Sequence, residues 1–344
     1  MTEYRHLIVG SGLIGCFLGS LIGQRAQVGF VGREPWLTRL TQGVTLTDYA
    51  GHEQAYQAAE NQCSTVIPNL ITRTVVWLTV KNTALESTLK ALQSKLGEHC
   101  VVICCQNGLG APDMARRYLP AVTLLQAIVG CNVVWDATRC SLHKATQGGM
   151  YIEQPHHFEP TLNQALQNIA HPLLTVSLRH DIQAIAWAKL QLNLANSINT
   201  IVNQPVKTML LDKACREVIA LLMDELLAVA AARGIRLPRL TRLPARWLPV
   251  LLRLPTWLFR RLASAMLHID DNARSSMWWD IAQGKQTEID YLNGALNHYA
   301  GQVRLSCPLN NKVTALVKAL EAAKSDESRG ILDGKTLKYR LHLK

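Results

Sequence analysis

The sequence predicts an α/β protein in two parts: an N-terminal doubly wound Rossmann domain followed by an all-helical C-terminal domain. Three observations predict it. Short β-branched runs alternate with helical stretches through the first half, a glycine-rich turn directly follows the first run, and strand signals vanish after about Ser177. With 344 residues the chain is about twice the usual domain size, so each part has enough residues for its own core. The expected boundaries are 1–176 for the nucleotide-binding domain, 177–325 for the helical substrate domain and 326–344 for a polar, basic tail expected to fray.

The elements follow in order. His6-Leu7-Ile8-Val9 is a buried strand, a helix runs near Leu13 to Gln24, and Gln27 to Val31 is the second strand. Val75 to Val80 and Val101 to Cys105 have the length and β-branched content of further parallel strands. Beyond them, Ile182 to Val202 and Asp212 to Arg233 carry apolar residues at spacings of three and four, the pattern of amphipathic helices. Gly234 and Pro238 end the second, and further helices fit Asn272 to Gln283, Thr287 to Gln302 and Asn310 to Ala323.

Composition narrows the function classes. An apolar share of 48% with 18% charged residues is that of an ordinary globular chain and excludes general disorder. The net charge of +11 suits an anionic cofactor and substrate as well as a nucleic acid, so charge alone does not choose between them. Eight arginines fall between Arg233 and Arg261, in a stretch without one acidic residue. The nine cysteines show no CxxC pair or metal-ligand spacing and read as reduced thiols of a cytoplasmic protein. The apolar run Leu7 to Gly23 carries five glycines and no clean cleavage site, which fits strand, turn and helix better than a signal peptide. No membrane span is expected, because no run of about 18 uninterrupted apolar residues occurs. His156-His157 lacks a partner at ligand spacing, so no metal is expected.

Gly10-Ser11-Gly12-Leu13-Ile14-Gly15 is a GxGxxG between a strand and a helix, the context in which this motif binds a dinucleotide. Gly10 and Gly12 would permit a tight turn and let a pyrophosphate approach the backbone amides, while Gly15 would allow close helix packing. After the second strand, where an NAD-binding chain places an acidic residue, this one has Gly32-Arg33-Glu34. Arg33 can hold a 2′-phosphate, which favours NADPH/NADP+ over NAD; the other reading is a solvated Arg33 with Glu34 on the ribose.

In the helix Trp187 to Ser197, Lys189, Asn193, Asn196 and Ser197 stand at offsets of four, seven and eight and share a face. An unpaired ammonium is costly to bury, so this pattern marks either a working site or a polar ridge facing water. Ser275-Ser276-Met277-Trp278-Trp279-Asp280-Ile281 and Thr287-Glu288-Ile289-Asp290-Tyr291-Leu292-Asn293-Gly294 add to it. With these segments, the glycine loop, Val80-Lys81 and Gln106-Asn107-Gly108-Leu109-Gly110, the sequence resembles the ketopantoate reductase (2-dehydropantoate 2-reductase) family over nearly its whole length.

The resemblance implies hydride transfer from NADPH to the C2 ketone of ketopantoate, giving pantoate for pantothenate and coenzyme A biosynthesis. Lys189 matches the family's catalytic lysine, which would polarise the ketone and donate a proton to the developing alkoxide. Glu288 matches a glutamate near the cofactor that would also help to position the lysine. Asn107 falls at the junction of cofactor and substrate, Asn193 on a substrate-binding asparagine, Ser276 on a substrate-contacting serine, and Lys81 on a lysine near the cofactor. Some members carry a second substrate asparagine eight residues after the lysine; here Ser197 stands there, and Asn196 can substitute. The expected partner is a small anionic 2-keto acid, and a homodimer is left open. The alternatives are a reductase of a different 2-keto acid and a non-catalytic NADP-binding protein, of which the second predicts loss of Lys189 or Glu288.

One segment stands outside this reading. Arg236 to Arg261 mixes arginine, tryptophan, leucine and proline. Pro238, Pro244, Pro249 and Pro255 break any long amphipathic helix, so the segment is expected to pack on the helical domain or form a subunit interface, rather than contact a membrane or nucleic acid.

Overall fold

The computed structural model describes residues 4–155, 159–267, 270–323 and 330–343. The pair His156-His157 and residues 324–329 lie outside these. The chain divides into two compact units, Met1–Gln106 with Gly110–Ile182, and Asn107–Leu109 with Gln183–Lys344.

The first unit holds twelve described strands, β1 (Arg5–Val9), β2 (Val28–Val31), β3 (Val44–Asp48), β4 (Glu53–Tyr56), β5 (Cys63–Ser64), β6 (Thr74–Leu78), β7 (Cys100–Cys104), β8 (Thr123–Val129), β9 (Val133–Asp136), β10 (Ser141–Lys144), β11 (Met150–Glu153) and β12 (Val176–Arg179). Between them run α1 (Leu13–Ile22), α2 (Trp36–Gln42), α3 (Asn82–Leu92), α4 (Ala111–Tyr118) and α5 (Pro160–Gln167). Eight strands form one sheet in the order β12-β11-β8-β7-β6-β1-β2-β5. From β5 to β8 all neighbours are parallel, and β11 then runs antiparallel to β8. Strand order reverses between β1 and β6, so the loops after these two strands lie at the switch point where open α/β sheets bind ligands.

β1, β6 and β7 are buried on both faces because helices cover both, which is why their sequences are continuous apolar runs rather than alternations. His6 is a polar group in this core. His6, nine-tenths or more buried on β1, accepts a hydrogen bond at Nδ1 from Trp77 Nε1 at 3.1 Å. Burial pushes its pKa down to about 4. Between that value and the unfolded value of about 6.5 the unfolded chain binds the extra proton, so stability falls as pH is lowered through this window. His6 alone is expected to cost about 2 kcal/mol between pH ~7.5 and ~5, and His6→Phe should flatten that limb in urea melts at the two pH values.

A second sheet, β4-β3-β10-β9, was not expected from the sequence. Its strands are four or five residues long and only partly buried, so their apolar alternation is short. β12 likewise extends the first unit beyond the expected boundary at 176 and pairs in parallel with β11.

The second unit is built from α6 (Ile182–Val202), α7 (Val206–Leu211), α8 (Lys213–Ala232), α9 (Leu248–Arg253), α10 (Thr256–Leu262), α11 (Ser264–Leu267), α12 (Ser276–Ala282), α13 (Ala295–Gly301), α14 (Pro308–Ala322) and α15 (Gly334–Arg340). Three expectations are corrected here. The helix expected over 272–283 begins only at Ser276, after the Ser275 cap. The one expected over 287–302 splits into a 3-10 turn at Ile289–Tyr291 and α13, because Asn293-Gly294 interrupts it. Finally, the expected frayed tail contains α15: Asp333 caps it, Gly334 N donates to Asp212 Oδ2 at 2.7 Å, and Leu337 and Leu341 are fully buried. Leu337 and Leu341, four apart, form an apolar stripe that was legible but short.

The arginine-rich segment becomes α9 and α10, separated at Pro255, and α9 packs along α8. Arg216 of α8 pins it. Fully buried, Arg216 donates from Nε to Leu252 O (3.0 Å), from Nη2 to Leu254 O (2.9 Å) and Thr256 Oγ1 (3.2 Å), and from Nη1 to Leu210 O (2.9 Å) and Leu211 O (3.2 Å). These acceptors cluster at the C-terminal ends of α7 and α9, where helix carbonyls lack intrahelical partners and carry partial negative charge. Its guanidinium also lies 4.3 Å from the ring centroid of Phe259.

Candidate active site

In the first unit, the loop after β1 is shaped by what glycine omits. Gly10 has φ +114°, and a Cβ there would stand 2.4 Å from Val80 N, so the loops after β1 and β6 meet backbone to backbone. Thr79 ties them, donating from Oγ1 to Gly10 O at 2.8 Å. At Gly15 a Cβ would lie 2.1 Å from Gly10 O, which holds α1 tight against the turn. Gly12 differs: a Cβ there would meet no atom within 4 Å, and no side chain caps α1. Open space at Gly12 thus adjoins the positive, uncapped N-terminal end of α1, the environment a dinucleotide pyrophosphate requires.

The adjacent loop after β2 carries Arg33 and Glu34. Ser11 is buried and accepts Arg33 N at 3.2 Å through Oγ, which fixes the Arg33 backbone beside the glycine loop while its side chain is exposed. Glu34 instead accepts from Thr38 N (3.1 Å) and Thr38 Oγ1 (2.6 Å) through Oε2. That carboxylate is engaged at the start of α2, and Arg33 and Glu34 are both exposed. Lys81, exposed, precedes α3 at the end of the neighbouring loop. These residues fit a nicotinamide dinucleotide.

In the helical unit, the face of α6 resolves the ambiguity at Asn196 and Ser197. At 3.6 residues per turn, Lys189, Asn193, Asn196 and Thr200 fall within an arc of about 60°, and Ser197 lies about 40° outside it. Lys189, Asn193 and Asn196 are half-buried, whereas Ser197 is fully buried and donates to Leu194 O at 2.8 Å. The structure therefore separates Ser197 from the other three.

Ser276 is brought to this stripe by its neighbour. Ser275 N donates to Asn199 Oδ1 (3.0 Å), Ser275 Oγ donates to Asn196 O (3.3 Å), and Ser275 Oγ accepts Trp278 N (3.2 Å). One serine thus caps α12 and fastens it to α6, leaving Ser276 exposed on the first turn. Glu288, half-buried, precedes the 3-10 turn, whose flank is held by Thr287, which donates from N (2.8 Å) and Oγ1 (2.6 Å) to Glu321 Oε1. The segment Asn107–Leu109 belongs to this unit. Leu109 N donates to Tyr291 O at 3.1 Å, and Gly108, with φ +83°, passes so close that a Cβ would be 2.0 Å from the same oxygen. Exposed Asn107 is in this way tied to the turn that follows Glu288.

The family model described as ketopantoate reductase PanE/ApbA matches residues 6–157, and the model of the family's C-terminal part matches residues 181–321. The chain belongs to the ketopantoate reductase PanE/ApbA family. Among its relatives, the 2-dehydropantoate 2-reductase of Pyrobaculum aerophilum is 27% identical over 224 residues, 64% of this chain and 70% of that protein. A PanE/ApbA family ketopantoate reductase from Ralstonia eutropha shares the fold with a TM-score of 0.72 at 23% identity, covering 92% of this chain and 99% of that one. D-mandelate dehydrogenase with NADH and anilino(oxo)acetate shares it with a TM-score of 0.70 at 19% identity, at the same coverage. As a member of this family, the chain is an NAD(P)-dependent 2-keto acid reductase type of enzyme.

Sequence reasoning missed several residues that shape the candidate site. Gln106, buried, donates from Nε2 to Leu78 O (2.8 Å) and Val80 O (3.0 Å), fixing the loop before Lys81. Asn199 and Ser275 fasten α12 to α6, as above. Their signal was polarity at positions adjoining a quoted motif. Without coordinates, a buried positioning amide looks the same as a solvated one.

Proposed function

We propose that this protein reduces ketopantoate to pantoate with NADPH, as a step of pantothenate biosynthesis. The observation that carries the reading is the half-buried stripe Lys189, Asn193, Asn196 with Ser276 fastened beside it. NADPH when bound supplies the hydride that forms the new C–H bond at C2. The glycine loop would hold its pyrophosphate, Arg33 its 2′-phosphate, and Lys81 and Asn107 its remaining polar groups. Lys189 hydrogen-bonds the ketone oxygen, stabilises the negative charge that grows there and gives it a proton, so that C=O becomes CH–OH. Asn193, Asn196 and Ser276 orient the substrate through hydrogen bonds to its carboxylate and hydroxyl groups. Glu288 helps to hold Lys189 in place.

Arg33→Ala is expected to raise KM for NADPH roughly 10- to 100-fold, the loss of a charge-assisted hydrogen bond, and to leave KM for NADH nearly unchanged. Steady-state kinetics with both cofactors check it. A second reading, a 2-keto acid with a bulkier apolar tail, is favoured by Trp279, which is 52% exposed and stands one helical turn after Ser276 on α12. Values of kcat/KM for ketopantoate and for aryl 2-keto acids decide between them: the proposal requires ketopantoate to be the better substrate.

A further inference from the structure

The arginine-rich segment contributes nothing to the site described, yet it is firmly built. Beneath it, Ala245, Leu248, Leu251, Leu252, Phe259 and Ala263 are buried, Gln191 Nε2 donates to Ala245 O at 2.9 Å, and Arg216 gathers the carbonyls of its turns. Its outer side is of opposite character. Arg246, Trp247 and Val250 recur at three and four spacing along a 3-10 turn (Ala245–Trp247) and α9, and Trp257, Arg260 and Arg261 do so on α10. All six are exposed, Trp257 to 70% and Trp247 to 50%, and Leu243 and Leu262 are exposed beside them. No acidic residue occurs between Glu225 and Asp270.

We infer that this outer face docks on an anionic phospholipid surface. Tryptophan and arginine together suit the boundary between headgroups and acyl chains, where the indole buries its apolar body and the guanidinium meets phosphate. Charge complementarity selects this occupant: a two-fold contact between two copies would set the same arginines against each other. A nucleic acid would use the arginines but would leave Val250, Leu243 and Leu262 in water. Among the described residues no helix is long and apolar enough to cross a membrane, so the contact is peripheral.

The test is flotation of the full chain with vesicles of phosphatidylglycerol and phosphatidylcholine, beside vesicles of phosphatidylcholine alone, with tryptophan fluorescence and its quenching by brominated lipid as a second readout. Binding to the anionic vesicles only, with a blue shift and quenching, is expected. Arg246→Gln, Arg260→Gln and Arg261→Gln together should lower partitioning roughly a hundredfold. Trp247→Ser, Trp257→Ser and Leu262→Ser should abolish the quenching. Lys90→Gln, Arg116→Gln and Arg117→Gln, which remove as much charge from exposed positions of α3 and α4, should change partitioning little. The inference is overturned by absence of binding to anionic vesicles, by equal loss in the Lys90, Arg116 and Arg117 variant, by tighter binding to duplex DNA that displaces the vesicles, or by self-association that the tryptophan variant abolishes without vesicle binding.

Discussion

Lys189→Ala is expected to lower kcat about 1000-fold while leaving the dissociation constant of NADPH unchanged. A positioned general acid contributes roughly 10²- to 10⁴-fold, and a donor aimed at a developing oxyanion roughly 10²- to 10³-fold. One ammonium performs both tasks, so the two factors overlap rather than multiply, and the loss corresponds to about 4 kcal/mol of transition-state stabilisation. KM for the keto acid should rise less than kcat falls, because the ammonium gains most of its interaction as the neutral ketone oxygen becomes an alkoxide. Cofactor affinity should hold because the glycine loop and Arg33 belong to the first unit and Lys189 to the second. Lys189→Arg should restore little of the rate, since guanidinium keeps the charge but does not give up its proton. Steady-state kinetics and a fluorescence titration with NADPH check these outcomes.

Arg216→Leu is expected to destabilise the helical unit by about 3–5 kcal/mol, the cost of leaving a buried polar cluster without its charged partner. Four carbonyls and the Thr256 hydroxyl accept from this one guanidinium, and leucine satisfies none of them. Arg216→Lys should cost less, because an ammonium can reach some of the acceptors but not the fork spread between α7 and α9. For a unit of this size the leucine variant should melt roughly 10 °C lower. Limited proteolysis should then cut first between α9 and α10, since the turn at Leu254 and Pro255 is what Arg216 holds. Thermal melts followed by circular dichroism, and mapping of the first cleavage, measure both.

Much of the fold was legible because its strongest signals are periodic. Ile182 to Val202 is a helix over the expected residues, and the strands before the glycine loop and at Val75 and Val101 fall within two residues of their expected ends. What escaped was short or non-local. The small second sheet pairs β3 with β10, about a hundred residues apart in sequence, and no local pattern announces such a contact. Arg216 was not singled out, although it stands three and seven residues before Ile219 and Met223 on the apolar side of α8. Its burial depends on carbonyls at the ends of two other helices, which a sequence does not place. At the candidate site the motifs named the residues, but motif spacing did not separate Asn196 from Ser197. A turn of about 100° per residue and one hydrogen bond to Leu194 did.

The most direct test of the central claim follows the hydride. The protein is incubated with ketopantoate and NADPH carrying deuterium at C4, and the product is identified by mass spectrometry. The account predicts pantoate with a single deuterium at C2, formed in step with NADPH consumption and lost with Lys189→Ala. NADPH consumed without label at C2, or labelled product formed equally well by the alanine variant, would contradict it.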